Sequence, residues 1–484
     1  MKKLYFDLET NGLSRFWAQI LSGFFAKEDY DESNQESFLD ITCSMELSRL
    51  PEPEALVVNG IPLDQLAEDN SLHSSIHEVI GFIQQNTPSI FVAHNADFDS
   101  SFITNAIYQN VASTNMYPFK NDGNILLDSL KLVRALYAFD PSCGVKIPID
   151  AKGFPVFKLE RLCKANSITI DAHKAKNDVL ALKQLVELIE KKSPTTYNNA
   201  ILSSVKKTVR QKIVDSPYFF AAVGTEKNYG VRALAPIAFS EDGSSCVVVD
   251  LLADLEKIKN YSPLELTGFL GTRVHKKYPV FLLPLNKGHV VFAPNEIDFI
   301  FEFTYDFDHK SLFRKASETR RDNDLSQAAR EALSWRENSF GAEDPEVEER
   351  IYGSFPSVSE KSFIRAFNLA EVEDKWSLIE SFSDRLKDDR FLRLARRVVL
   401  QNWPEYCTEE HREHYYEWCF KRLFSEPQTQ EDVPKWPTLF TCLSNFPKLK
   451  RKYPDKLGRI SELEDFYKRL AARAGVDTSS SFDN

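Results

Sequence analysis

No apolar run in this 484-residue sequence approaches the ~20 residues needed to cross a bilayer. Met1-Lys2-Lys3 passes straight into a charged strand, which excludes the long apolar core of a signal peptide. Cysteine is scarce as well: seven residues, an odd number, widely scattered and never spaced C-x-x-C, so neither a disulfide framework nor a zinc site is indicated. Cys407 and Cys419 flank His411 and His414, but Tyr415, Tyr416 and Trp418 make that segment read as an aromatic amphipathic helix. These absences imply a soluble, cytoplasmic chain that does not bind membranes.

Positive charge is in deficit, with a net charge of -11, which for the chain taken whole argues against a nucleic-acid binder. The distribution changes that inference. Residues 1–100 hold 5 Lys and Arg against 17 Asp and Glu, whereas the remainder holds 55 against 54. Acid is concentrated at the N-terminus, and later stretches are locally basic: KKTVRQK at 206–212, RKASETRR at 314–321 and KLKRKYPDKLGR at 448–459. Each is either a solvated face or a phosphate-contacting surface.

What the sequence has in quantity is apolar and aromatic side chain, 43% and 12%, with 36 Phe, enough for well-built cores; the length predicts about three domains. Residues 1 to about 192 read as α/β. Strands are predicted at Leu4–Leu8, Ile20–Ala26, Phe38–Cys43 and Ser89–Ala93. Helical spacing links Ile76, Val79, Ile80 and Ile83, and again Val179, Leu182, Leu185, Val186 and Ile189. The polar SPTTYNN that follows reads as a boundary. From about 196 to 340, short β-rich runs such as YFFAAVG, CVVVDLL and YPVFLLPLNKGHVVFAP alternate with turn signals, predicting a small, mostly antiparallel sheet or barrel. Ser317–Glu343 reads as a helix plus linker. Beyond 341 the spacing is helical (Phe363, Phe367 and Leu369; Leu392, Leu394, Val398 and Val399), and 477–484 reads as a flexible tail.

Three acidic clusters stand out. In YFDLETNGL, Asp7 and Glu9 sit two apart on a strand and so share a face, with Phe6 and Leu8 on the other. In FVAHNADFDSSFI, a strand ends in a polar turn and places Asp99 near a helix N-terminus. In DAHKAKNDVLAL, Asp178 begins an amphipathic helix and His173 lies five residues earlier on a loop. Each has an ordinary reading alone: Asp99 and Asp178 as helix caps, His173 as a surface histidine, Asp7 and Glu9 as an exposed edge.

Together, D-x-E, N-x-x-F-D and H-x-A-x-x-D in that order resemble the DEDDh 3′-to-5′ exonucleases, which have a ribonuclease-H-like fold. The related tyrosine subgroup would place Tyr where Lys174 stands. The words LPEPEALVVNGI (50–61), LLDSLKLVRALYAFDP (126–141), FPVFKLERLCKAN (154–166), VVVDLLADL and, more faintly, RIYGSFPSVSEKS narrow the resemblance to the bacterial exonuclease I family. That resemblance implies an α/β ribonuclease-H-like exonuclease domain (1–195), an SH3-like β domain (196–340) and an α-helical C-terminal domain (341–476) around a strand-holding cleft. It implies Asp7, Glu9, Asp99 and Asp178 as ligands of two Mg2+, with Mn2+ a candidate substitute, and His173 as the base. Glu9 and Lys158 become substrate-binding residues. Lys158 departs from the family's usual arginine, keeping the charge but losing the bidentate fork.

The implied activity is removal of 5′-mononucleotides from the 3′ end of single-stranded DNA, in repair and recombination. The implied partner is the acidic C-terminal tail of bacterial single-stranded DNA-binding protein, and a monomer is expected. Two alternatives stay open: an RNA 3′-end-trimming exoribonuclease, since that choice depends on reading the 2′-hydroxyl, and a non-catalytic single-strand-binding scaffold.

Overall fold

The computed structural model describes all residues except 68–69, 170–173, 225–228, 259–260, 272–278, 302–306, 339–344, 427–428, 430–432 and 477–484. The first unit is a five-stranded mixed sheet of β1 (Lys2–Thr10), β2 (Ile20–Lys27), β3 (Phe38–Thr42), β4 (Ser89–Ala93) and β5 (Ile125–Asp128), in the order β3-β2-β1-β4-β5. β1 lies at the centre, antiparallel to β2 and parallel to β4. The four strands predicted from sequence are present. β5 was not predicted: its four residues are too few to show an alternating pattern.

Helices α1 (Pro53–Asn59), α2 (Leu72–Gln85), α3 (Ala96–Gln109), α4 (Ser129–Phe139), α5 (Leu159–Ala165) and α6 (Ala175–Lys192) cover this sheet. Strand alternation divides β1 between two cores. Leu4, Phe6 and Leu8 pack with Ile76 and Val79 of α2 and Phe102 and Ile103 of α3. Tyr5 faces the opposite side with Val179, Leu182 and Val186 of α6. Asp7 and Glu9 lie on that second face.

The expected boundary at SPTTYNN is mostly helix. α6 stops at Lys192, and α7 (Pro194–Ser203) begins after Ser193 with proline at its first position, where the missing N–H costs nothing. α8 (Lys206–Asp215) follows, so the β texture begins only at β6 (Phe219–Val223). With β7 (Gly230–Phe239), β8 (Ser245–Asp250), β9 (Val280–Pro284) and β10 (Val291–Phe292) it forms an antiparallel sheet in the order β10-β6-β7-β8-β9. Pro236, which cannot donate to the ladder, sits where the β7–β8 register shifts. α9 (Pro263–Gly271), α10 (Pro294–Phe301), α11 (His309–Arg321) and α12 (Asn323–Asn338) accompany this sheet. The charged stretch after Ser317 is therefore the end of one helix and the whole of another.

The C-terminal region is helical, as expected: α13 (Val358–Leu369), α14 (Lys375–Phe382), α15 (Arg390–Asn402), α16 (Glu409–Phe424), α17 (Leu439–Ser444), α18 (Phe446–Lys452) and α19 (Leu457–Arg473). It does not stand apart. Phe363, Phe367, Phe391 and Leu394 join the core that contains α3, and Leu443, Phe446 and Ile460 join Leu56 and Val57 of α1. The phenol of Tyr108 on α3 donates to the Val347 carbonyl at 2.8 Å. No helix among the described residues is long and apolar enough to cross a membrane.

Candidate active site

β1 supplies Asp7 and Glu9, and α6, lying across the same face, supplies Asp178 from its first turn. Carboxylate oxygens of these three residues lie within 4.8 Å of one another, and all three side chains are part-buried. Parallel pairing of β1 with β4 ends at Tyr5↔Val92, which leaves the β1 edge beyond Tyr5 open on that side. The chain leaves β4 through Asn95, whose left-handed backbone (φ 68°) is among those asparagine tolerates, and enters α3. This turn brings Asp99 back onto the open edge, where its Oδ1 accepts from the Leu8 N–H at 3.2 Å. Asp99 is 3% exposed.

Burial and mutual repulsion set the electrostatics. Asp7 is pushed well above the ordinary aspartate range by burial first, then by Asp99, Glu9 and Asp178. Burial and then Asp178 raise Glu9 to about 7. Asp99 is raised to about 8, chiefly by burial, against the opposing backbone hydrogen bonds from its own N–H and that of Leu8. None of Asp7, Glu9 and Asp99 forms an ion pair with a described lysine or arginine. The crowded carboxylates of Asp7, Glu9 and Asp178 match the all-oxygen donor set that hard divalent ions prefer.

Asp97, in the same motif as Asp99, is held elsewhere. Lys131 lies 2.8 Å and Lys287 3.4 Å from its carboxylate, and together they lower its pKa against the rise from burial. Lys287 belongs to the turn between β9 and β10, so the second sheet reaches the first turn of α3. Asp128, at the end of β5, caps α4 through Leu130 and Lys131 and also accepts from the Asn95 N–H at 3.2 Å. The sequence reading singled out neither Asp128 nor Lys131; both lie in the word LLDSLKLVRALYAFDP, where an ordinary N-cap pattern was the available signal.

Two expected residues fall outside the acid cluster. Lys158 is exposed at the start of α5, and no contact joins it to the acids among the described residues. Its segment is nevertheless tied to β4: His94 Nε2 donates to the Phe157 carbonyl at 2.8 Å, and the Ser129 hydroxyl lies 2.9 Å from Nδ1. His173 lies outside the described residues. Beside Glu9, a cavity of about 240 Å³ is walled by Leu13, Ala55, Val58 and Phe98.

The whole succession of mixed α/β unit, antiparallel sheet and helical region superposes on solved exonuclease I structures. E. coli exonuclease I in complex with a dA16 oligonucleotide superposes with a TM-score of 0.79 at 19% identity, covering 98% of this chain and 99% of that one. An ExoI/SSB-Ct complex matches at 0.77 and 18%, over 98% and 99%. In sequence, exodeoxyribonuclease I of Buchnera aphidicola (subsp. Schizaphis graminum) is 23% identical over 435 residues, 87% of each chain. That of Haemophilus influenzae is 28% identical over 390 residues, 75% of this chain and 81% of the other. No family model matches the sequence. The resemblance to bacterial exonuclease I read from the motifs is thus borne out along nearly the whole chain.

Proposed function

We propose that the chain is a metal-dependent 3′-to-5′ exonuclease that hydrolyses single-stranded DNA to 5′-mononucleotides, serving DNA repair and recombination. The observation that carries this reading is the convergence of Asp7, Glu9 and Asp178 within 4.8 Å, with Asp99 pinned beside them. In hydrolysis, water forms a new bond to the terminal phosphorus, the bond to the preceding nucleotide's 3′ oxygen breaks, and that oxygen takes up a proton. Asp7, Glu9, Asp99 and Asp178 would hold two Mg2+ ions, which would supply positive charge to activate the attacking water and to offset charge on the departing oxygen; Mn2+ would be the natural substitute. His173 removes the proton from water, a role suited to imidazole, whose unperturbed pKa in model peptides is about 6.5. Glu9 borders the apolar cavity beside Leu13 and Phe98, whose size suits the terminal nucleoside. Lys158 meets a phosphate.

The domain division 1–195, 196–340 and 341–476 follows the same reading, with the antiparallel sheet as an SH3-like domain and the tail from 477. The partner is the C-terminal tail of bacterial single-stranded DNA-binding protein. Support comes from the ExoI/SSB-Ct neighbour and from a groove of about 1020 Å³ between α8 and α11, the helices that carry two of the basic clusters. There Lys310 and Phe313 offer a cationic and an apolar group to an acidic peptide. The chain acts as a cytoplasmic monomer.

The test uses 5′-labelled single-stranded DNA, single-stranded RNA and duplex DNA, each with magnesium or EDTA. Laddering of single-stranded DNA alone, abolished by EDTA, is expected. Digestion of RNA instead, or of nothing, overturns the proposal.

A further inference from the structure

A third cavity lies on the helical unit, far from the acids along the chain. It encloses about 490 Å³ between α14, α15 and α16 and is lined by Arg393, Arg396, Arg397, Trp376, His411 and Trp418 among others. Two features set it apart from an ordinary solvated face. The first is charge. Arg393, Arg396 and Arg397 fall within one turn of α15, at spacings that place like charges side by side at a cost to the helix. Glu348 answers Arg397 at 2.8 Å. Arg393 and Arg396 form no ion pair with a described carboxylate; Arg396 has only a long contact to the Ser383 hydroxyl, 3.5 Å. Glu380 is the one acid among the described residues lining the cavity, and its Oε1 is taken by the Trp376 indole N–H at 2.9 Å.

The second feature is the aromatic surface beside the arginines. The Trp376 and His411 rings lie 4.3 Å apart and 32° from parallel. The Arg397 guanidinium sits 4.3 Å over the Trp418 ring, and Trp418 stacks on Tyr415 at 5.8 Å. Arg393 and Arg396, without carboxylate partners among the described residues, line the same groove as the Trp376 and His411 rings, and such a surface suits single-stranded nucleic acid: guanidinium to phosphate and ring to base. An acidic peptide would use the arginines but leave the rings without a role.

From this arrangement we infer that the α14–α16 groove is a second single-strand-binding patch that holds a part of the strand remote from the 3′ end. The inference takes its ligand from the exonuclease reading, but it is tested without hydrolysis. A strand long enough to reach both places gains an intramolecular second contact and therefore dissociates slowly.

Binding of short and long 5′-fluorescein oligo(dT) to the full chain is measured by anisotropy in EDTA across a salt series. Arg393→Glu with Arg396→Glu should weaken long-strand binding about tenfold and shrink the salt slope by about 1.4, the value for two phosphate contacts on a single strand. Arg393→Lys with Arg396→Lys should keep most of both, and Trp376→Phe should reduce the quenching of tryptophan fluorescence by the long strand. Matching melting temperatures establish that the variants are folded. Unchanged long-strand affinity and salt slope in the charge-reversed chain overturns the inference. So does loss of binding to a poly-glutamate peptide with strand binding intact, which would assign the groove to acidic protein. Failure to hydrolyse in magnesium bears on the acids alone, because binding is read without metal.

Discussion

The backbone N–H of Leu8 donates to Asp99 Oδ1 at 3.2 Å, so the first turn of α3 is fastened to β1 at the residue between Asp7 and Glu9. One carboxylate thus has two duties, as a fastening and as a charge in the acid cluster, and two substitutions separate them. Asp99→Asn keeps an acceptor oxygen and removes the charge. It should leave the melting temperature unchanged or raise it, because burial and neighbouring acids disfavour the ionised form, while lowering the exonuclease rate by at least ~10²-fold, comparable to losing a key electrostatic group. Asp99→Ala loses the acceptor as well and should cost about 1 kcal/mol more in stability. Equal melting temperatures for the two would remove the fastening role.

The raised carboxyls give metal-free protein a distinctive pH dependence. A carboxyl whose folded pKa exceeds its unfolded value binds its proton more tightly in the fold, so its destabilising effect grows as pH rises from the unfolded to the folded value. For Glu9 that window runs from about 4.5 to about 7, and for Asp99 from about 3.8 to about 8. In EDTA the melting temperature should fall across this range. Adding Mg2+ should restore it increasingly toward the alkaline end, since the ions compete with those protons. Asp7→Asn with Glu9→Gln should flatten the EDTA curve; an undiminished slope in that variant would place its origin elsewhere.

Lys158 follows directly on a segment held in place by His94. His94, largely desolvated and thereby disfavoured in its charged form, holds the Phe157 carbonyl at 2.8 Å and so fixes the start of α5 relative to the end of β4. A phosphate contact made from there is binding, not chemistry. Lys158→Ala should raise KM roughly tenfold with kcat nearly unchanged, about the worth of one charged hydrogen bond. Lys158→Arg should bind at least as well as lysine, because the fork fits phosphate in two places. A fall in kcat with KM constant would move Lys158 into the reacting group.

Why some of this was legible in sequence and some was not has a physical answer. The period of two along β1 placed Asp7 and Glu9 on one face without any tertiary information, and α6 announced itself by apolar spacing that fixed Asp178 in its first turn. Choosing Asp99 over Asp97 needed the motif; in the structure Lys131 and Lys287 account for Asp97, and Lys287 lies 190 residues away. β5 was missed because ILLD is too short to be periodic. The α7–α8 pair was missed because proline and asparagine, read as linker residues, here begin a helix packed against α4 and α6. The arginine groove was invisible for a related reason: its rings come from α14 and α16 and its charges from α15, and only packing brings them together.

If His173 is the base and Asp178 a ligand, as proposed, removing each should look different in the same assays. Asp178→Ala takes an oxygen donor from the cluster and relieves repulsion on Asp7 and Glu9. It should abolish turnover yet leave single-strand binding in EDTA largely intact, since phosphates and bases are held by other groups. His173→Ala leaves every acid in place and should lower the rate by ~10²–10⁴, the range for a lost general base. The wild-type rate should rise with pH through the histidine range, and that limb should vanish in His173→Ala. A pH profile that keeps the limb would assign it to the carboxyls, whose own raised values lie close by, and would leave His173 without the role of base.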